Sequence, residues 1–126
     1  MIFVDTNVVM FAVGREHPLR AEAREFFESN LDAPLCTSAE VLQELIHAYL
    51  PVQRMATLAA AFTLVERSVP QIFPIEAEDV RSALMLVDRH PELGSRDLLH
   101  LAICRRHAIK KIKTFDRALG AAFRKR

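Results

Sequence analysis

Four short strand candidates, residues 2–5, 34–37, 71–75 and 111–114, stand far apart in this chain, and the sequence between them is patterned for helix. That spacing excludes hairpins, because tight turns need strands close in sequence, whereas helical crossovers join parallel strands. The pattern predicts an α/β fold, a three-layer α/β/α sandwich around a mostly parallel four- or five-stranded sheet. Residues 6–13 form the first helix, ending near Gly14, and Pro18 suits the first turn of a second helix reaching about Asn30. Thr37 and Glu40 stand at capping-box spacing ahead of a helix to about Tyr49, where Pro51 breaks it and opens another to about Ser68. Residues 76–90 are helical and closed by Pro91 and Gly94; Ser95 then caps a helix from Arg96 to about His107, and Asp116 begins the last one. No repeat or linker divides the chain, so residues 1–126 are read as one domain, long enough to bury a core unaided.

In a parallel α/β sheet the ligand crevice lies beyond the carboxyl ends of the strands, where strand order reverses. Asp5 ends the first run and Asp116 follows the fourth by two residues. With a strand order of 3-2-1-4 both overhang one crevice. Asp97 opens the helix that feeds the fourth strand, so it starts at that edge too. Glu44 requires a helical argument. Val41, Leu42, Leu45, Ile46 and Tyr49 make an apolar stripe. At about 100° per residue Glu40 falls nearly opposite that stripe and Glu44 on its flank, leaning toward the site. Each acid also has a local task available, Asp5 and Asp116 as helix caps and Asp97 in a first turn. Carboxylates gathered this way need a counter-charge, and Mg²⁺ or Mn²⁺ is the usual one.

Charge is unevenly distributed along the chain. Residues 1–104 hold eight Lys/Arg against fifteen Asp/Glu, whereas residues 105–126 hold nine against Asp116 alone. A basic flank beside an acidic site suits a polyanion; the plainer reading is a solvated tail. Cys36 and Cys104 lie in apolar segments, without zinc-ligand spacing, and read as buried small hydrophobes in a reducing compartment. No stretch reaches the roughly 20 apolar residues of a membrane span, and no export signal is visible, so a cytoplasmic protein is expected.

Asp5-Thr6-Asn7 after the first strand, Glu44 within Leu-Gln-Glu-Leu, the run from Ser95 through Asp97 and His100 to Ala102, and Thr114-Phe115-Asp116 together resemble the PIN-domain ribonucleases. Within them the chain is most similar to the VapC-type toxins of toxin–antitoxin pairs. The resemblance covers nearly the whole chain and implies a metal-dependent endoribonuclease, a homodimer, and silencing by a cognate antitoxin. One departure is visible: only ten residues follow Asp116, with no convincing fifth strand.

The expected chemistry is metal-assisted hydrolysis of an RNA phosphodiester, with one or two Mg²⁺ or Mn²⁺ ions held by Asp5, Asp97, Asp116 and Glu44. Asn7 and Thr114 are placed to orient the metal's waters, or to serve their local turns. Arg96, Arg105, Arg106, Lys110 and Arg117, with Lys111, are the candidate RNA contacts. His100, among Leu98, Leu99, Leu101 and Ile103, reads as a packed core histidine rather than an acid–base group. The hairpin around Pro51, with Leu45, Ile46, Leu58 and Phe62, is core or a surface for the second protomer or antitoxin. Two other readings compete: a Mg²⁺-dependent phosphatase or receiver-like protein, disfavoured by Asn7 and Val4 where further acids belong, and a catalytically silent PIN-like binding module.

Overall fold

The computed structural model describes residues 1–125. Its elements in chain order are β1 (Ile2–Val4), α1 (Thr6–Val13), α2 (Arg20–Ser29), β2 (Leu35–Ser38), α3 (Ala39–Tyr49), α4 (Met55–Ser68), β3 (Gln71–Phe73), α5 (Ala77–Met85), α6 (Ser95–Arg106), β4 (Lys111–Lys113) and α7 (Arg117–Arg124). The four strands form one sheet in the order β3-β2-β1-β4, and every pair is parallel. Among the described residues there is no fifth strand; the chain after Asp116 goes into α7.

Strand alternation divides the core in two. Phe3, Cys36 and Phe73 point to one face and pack with Ala83, Leu98, Leu101 and Leu119 from α5, α6 and α7. Their neighbours Val4, Leu35 and Ile72 point to the other, against Val8, Val9, Phe27, Leu58 and Val65 from α1, α2 and α4. Successive strand side chains face opposite ways, so three- and four-residue strands suffice to make two buried layers. α3 straddles the sheet's end, giving Val41 to the first cluster and Leu45 to the second. Both cysteines are fully buried, and burial pushes the Cys36 thiol up to about 11.

Several local expectations change. Thr37 does not cap α3: it is the third residue of β2, and its hydroxyl donates to the Val4 carbonyl at 2.8 Å, tying two strands together. The cap is Ser38, without a side-chain bond, and Gly94 rather than Ser95 caps α6. The capping box forms instead at Glu76 and Asp79 of α5. That helix stops at Met85, and the chain reaches His90 in turns. Pro51 opens a turn in which Gln53 takes a φ of 57°, and α4 begins only at Met55.

Candidate functional site

Asp5 leaves β1 at its carboxyl end and caps α1, its Oδ1 accepting the Thr6 N–H at 2.7 Å. Its Oδ2 accepts the Thr114 hydroxyl at 2.6 Å, just past the end of β4. Thr114 Oγ1 also accepts the Asp116 N–H at 3.0 Å and lies 3.4 Å from Asn7 Nδ2, so its one proton and two lone pairs are all engaged. Asn7 Oδ1 in turn accepts the Phe115 N–H at 3.2 Å. Asp116 caps α7, its Oδ1 accepting the Leu119 N–H at 3.1 Å. Capping and site-building are therefore the same act. The helix ends that demand an acceptor also hold Asp5 and Asp116 in fixed orientations at one sheet edge.

Glu44 enters from α3. Its Oε2 accepts the Thr6 hydroxyl at 2.8 Å, and its Oε1 lies 2.7 Å from Nε2 of His100. His100, on α6, is fully buried with its ring 5.4 Å from that of Phe3, and the same Nε2 is 3.8 Å from Asp5 Oδ1. The expectation of a merely packed histidine thus needs correcting: it packs, and its Nε2 also lies among the acids, where Glu44 and Asp5 raise its pKa. Thr6 is a second residue that sequence reasoning passed over. The usable signal was spacing: His100 is three residues after Asp97 and so shares its helix face.

The electrostatics follow from this crowding. Burial raises the Asp5 pKa, with His100 and the Thr114 and Thr6 bonds pulling against it. Asp97, half-buried at the start of α6, is pushed up to about 6 by burial and by the charges of Asp5 and Asp116. Glu44 is buried enough for desolvation to raise it, yet His100 and Thr6 hold it below the ordinary carboxylate range. Burial works against charge on His100, but Glu44 and Asp5 outweigh it and raise its pKa.

This donor set fits a divalent cation. The groups are hard carboxylate oxygens, and one carries a pKa that only mutual repulsion and burial explain. Single ligand atoms of Asp5, Glu44 and His100 all lie within 4.8 Å of one another. Asp97 and Asp116 are not in that group, but Asp97 feels the charges of Asp5, Asp116 and Glu44.

A profile of the PIN domain matches residues 2–124. The chain belongs to the PIN-domain family. It is 59% identical over 126 residues to Ribonuclease VapC23 of Mycobacterium tuberculosis, covering 98% of this chain and 99% of that protein. Ribonuclease VapC13 of the same species is 39% identical over 123 residues, 96% and 94% of the two chains. Among solved structures, that of Mycobacterium tuberculosis VapC20, a sarcin–ricin-loop-cleaving toxin, superposes with a TM-score of 0.81 at 24% identity, covering 97% and 95%; it establishes the shared fold.

In this PIN domain the expected basic flank is split: Arg117 and Arg124 line a cleft with Thr114 and Asp116, whereas the rest lies away from the acids. Arg105 and Arg106 end α6, eight and nine residues from Asp97, which at about 1.5 Å per residue is some 12–13 Å away. Lys110 and Lys111 lie where β4 begins, at the sheet edge opposite the site. Arg106 is further committed, its Nε and Nη2 donating to the buried Asp79 at 2.6 and 2.9 Å. Arg96 and Arg117 adjoin Asp97 and Asp116 in sequence and remain at the crevice edge, both exposed. In the α3–α4 hairpin Leu45 and Leu58 are core and Phe62 is half-buried; the exposed apolar side chains are Ile46, Leu50, Val52 and Met55.

Proposed function

We propose that this chain is a metal-dependent endoribonuclease, the toxin of a toxin–antitoxin pair, whose one catalytic site is formed by Asp5, Glu44, Asp97 and Asp116. What supports the reading is that carboxylates carried by four separate elements act on one another: Asp97 is pushed up to about 6 by burial, with Asp5, Asp116 and Glu44 all raising it further. A bound Mg²⁺ or Mn²⁺ ion, one or two in number, supplies a Lewis acid that lowers the pKa of water and stabilises phosphoryl charge. The chain's own residues do the rest. Asp5 is the central ligand, fixed from both sides by Thr6 and Thr114. Glu44 is held in place by Thr6 and His100. Asn7 and Thr114 set the orientation of the Asp5 carboxyl, of the Asp116 backbone and of nearby water. Arg96 and Arg117 take the RNA phosphates on either side.

A cognate antitoxin, a homodimeric state and a cytoplasmic location belong to the same reading, as does a single nuclease domain over residues 1–126. The 59% identity to Ribonuclease VapC23 supports the first of these. The apolar side chains left exposed on α5 (Val80, Leu84, Met85) support a protein interface. No helix of the described residues is long and apolar enough to cross a membrane. The test is RNA cleavage by purified protein, lost in chelator and restored by Mg²⁺ or Mn²⁺. Asp5→Asn should be inactive with an unchanged circular dichroism spectrum; cleavage at the wild-type rate by that variant refutes the site.

A further inference from the structure

Along α1, one turn beyond Asn7, lies Phe11. A cavity of about 390 Å³ runs past both, between α1, the turn after Gly14 and the junction of α3 with α4. That volume lies in the lower part of the roughly 300–1,000 Å³ span of small-molecule clefts. Met10, Phe11 and Tyr49 line it with apolar surface. Asn7 connects it to the acids, because Asn7 Nδ2 lies 3.4 Å from the Thr114 hydroxyl that donates to Asp5.

We propose that this cavity is a base-recognition subsite that takes one unpaired nucleotide of the RNA next to the bond that is cut; the assignment rests on the ribonuclease reading above. Phe11 is half-buried and braced, edge-on to Phe115 at 5.5 Å and tilted against His17 at 4.5 Å. A ring held by its neighbours is already ordered for stacking, the interaction by which proteins grip unpaired bases. The charges point the same way. Arg15 and Arg54 border the cavity, and neither forms an ion pair among the described residues. Glu16, the carboxylate in the lining, is already held by Arg20 at 2.9 Å. An apolar peptide would leave both guanidinium groups unmatched, whereas a nucleotide offers a ring for the floor and a phosphate for the rim.

Groups able to read a base edge are present as well. His17 Nδ1 accepts the Leu19 N–H at 3.1 Å, so a neutral ring carries its proton on Nε2, as a donor. The Tyr49 hydroxyl has no hydrogen-bond partner among the described residues. Gly14 makes the enclosure: a Cβ there would sit 2.7 Å from the Met10 carbonyl oxygen, and without one the chain turns tightly enough to bring His17 onto Phe11.

The test uses full-length protein and short fluorescein-labelled homopolymers of A, C, G and U in EDTA, read by fluorescence polarisation. Wild type should discriminate among the four, and Phe11→Leu should weaken the tightest about tenfold while flattening the differences. Arg15→Gln and Arg54→Gln should weaken all four and lower the salt dependence by about one charge each. In parallel, cut sites in a random RNA pool with Mn²⁺ should show a base preference beside the scissile bond that Phe11→Leu loses. Wild type without any base preference overturns the subsite. So do Phe11→Leu and Arg54→Gln proteins, folded by circular dichroism, that keep wild-type affinity and preference. So, too, do variants that bind RNA normally but lose the antitoxin, which would assign the cavity to a protein partner. Asp5→Asn separates the two readings. If wild type cuts and Asp5→Asn does not, failure of the Phe11 variants to respond removes only the subsite; if wild type cuts nothing, or Asp5→Asn cuts equally, the nuclease reading falls.

Discussion

Replacing Asp97 by Asn should make the metal-free protein more stable while destroying its activity. The carboxyl is raised from an ordinary 3.8 to about 6, chiefly by burial and by Asp5 and Asp116. At about 1.4 kcal/mol per unit this corresponds to roughly 3 kcal/mol held against folding when Asp97 is ionised. The group is only half-buried, so solvent screening reduces that to about 1.5 kcal/mol. Losing a first-turn charge at the α6 N-terminus costs about 0.5 kcal/mol. A net gain of about 1 kcal/mol remains, worth some 3–5 °C in Tm for a chain of this size. The sign with pH is fixed. A carboxyl whose folded pKa is raised contributes stability that is fully present below its unfolded pKa and lost as pH rises through about 6. The advantage of Asp97→Asn should therefore be largest at pH 7.5 in EDTA and nearly vanish toward pH 4. Added Mg²⁺ or Mn²⁺ should reverse the order, stabilising wild type more than the variant. Differential scanning calorimetry across that pH range is the measurement. An Asp97→Asn protein that melts below wild type at pH 7.5 in EDTA, or a gain indifferent to pH, would refute the reasoning.

Thr114→Val keeps the shape but removes a hydroxyl that satisfies both Asp5 and the Asp116 N–H; urea denaturation should show a loss of about 1–2 kcal/mol, and RNA cleavage should fall at least tenfold. His100→Ala leaves the Glu44 carboxylate without the imidazole 2.7 Å away and opens a hole beneath α6, so a loss of about 3 kcal/mol is expected by the same assay. Arg106→Gln should lower Tm, because the buried Asp79 loses its partner, yet leave RNA affinity in polarisation assays unchanged; weaker RNA binding would return Arg106 to the substrate face.

The sheet was legible because its signals are local: short strand candidates too far apart for hairpins leave few alternatives to a parallel α/β arrangement. Glu44 was legible too, since 3.6-residue periodicity separates a helix flank from its exposed back. His100 was hidden by its apolar neighbours on α6, for a buried imidazole and a buried leucine give the same pattern until the partner across the sheet edge is known. Thr37 deceived for a different reason, because the strand ran one residue longer and Val4 claimed its hydroxyl. The basic segment misled by adjacency. Residues 105 to 117 are neighbours in sequence, but α6 and β4 run in opposite directions, so most of that charge gathers at the far end of the sheet.

Asp5 at the head of α1 has an evolutionary consequence. Asparagine caps a helix as well as aspartate does. An amide there keeps an oxygen for the Thr6 N–H, and its nitrogen can displace Asn7 Nδ2, the longest of the Thr114 contacts at 3.4 Å, from Thr114 Oγ1. On the nuclease reading proposed above, one base change in the codon should therefore disarm the protein without unfolding it. In cells that express this chain without restraint, survivors should be rich in that substitution, still carrying abundant, well-folded, harmless protein.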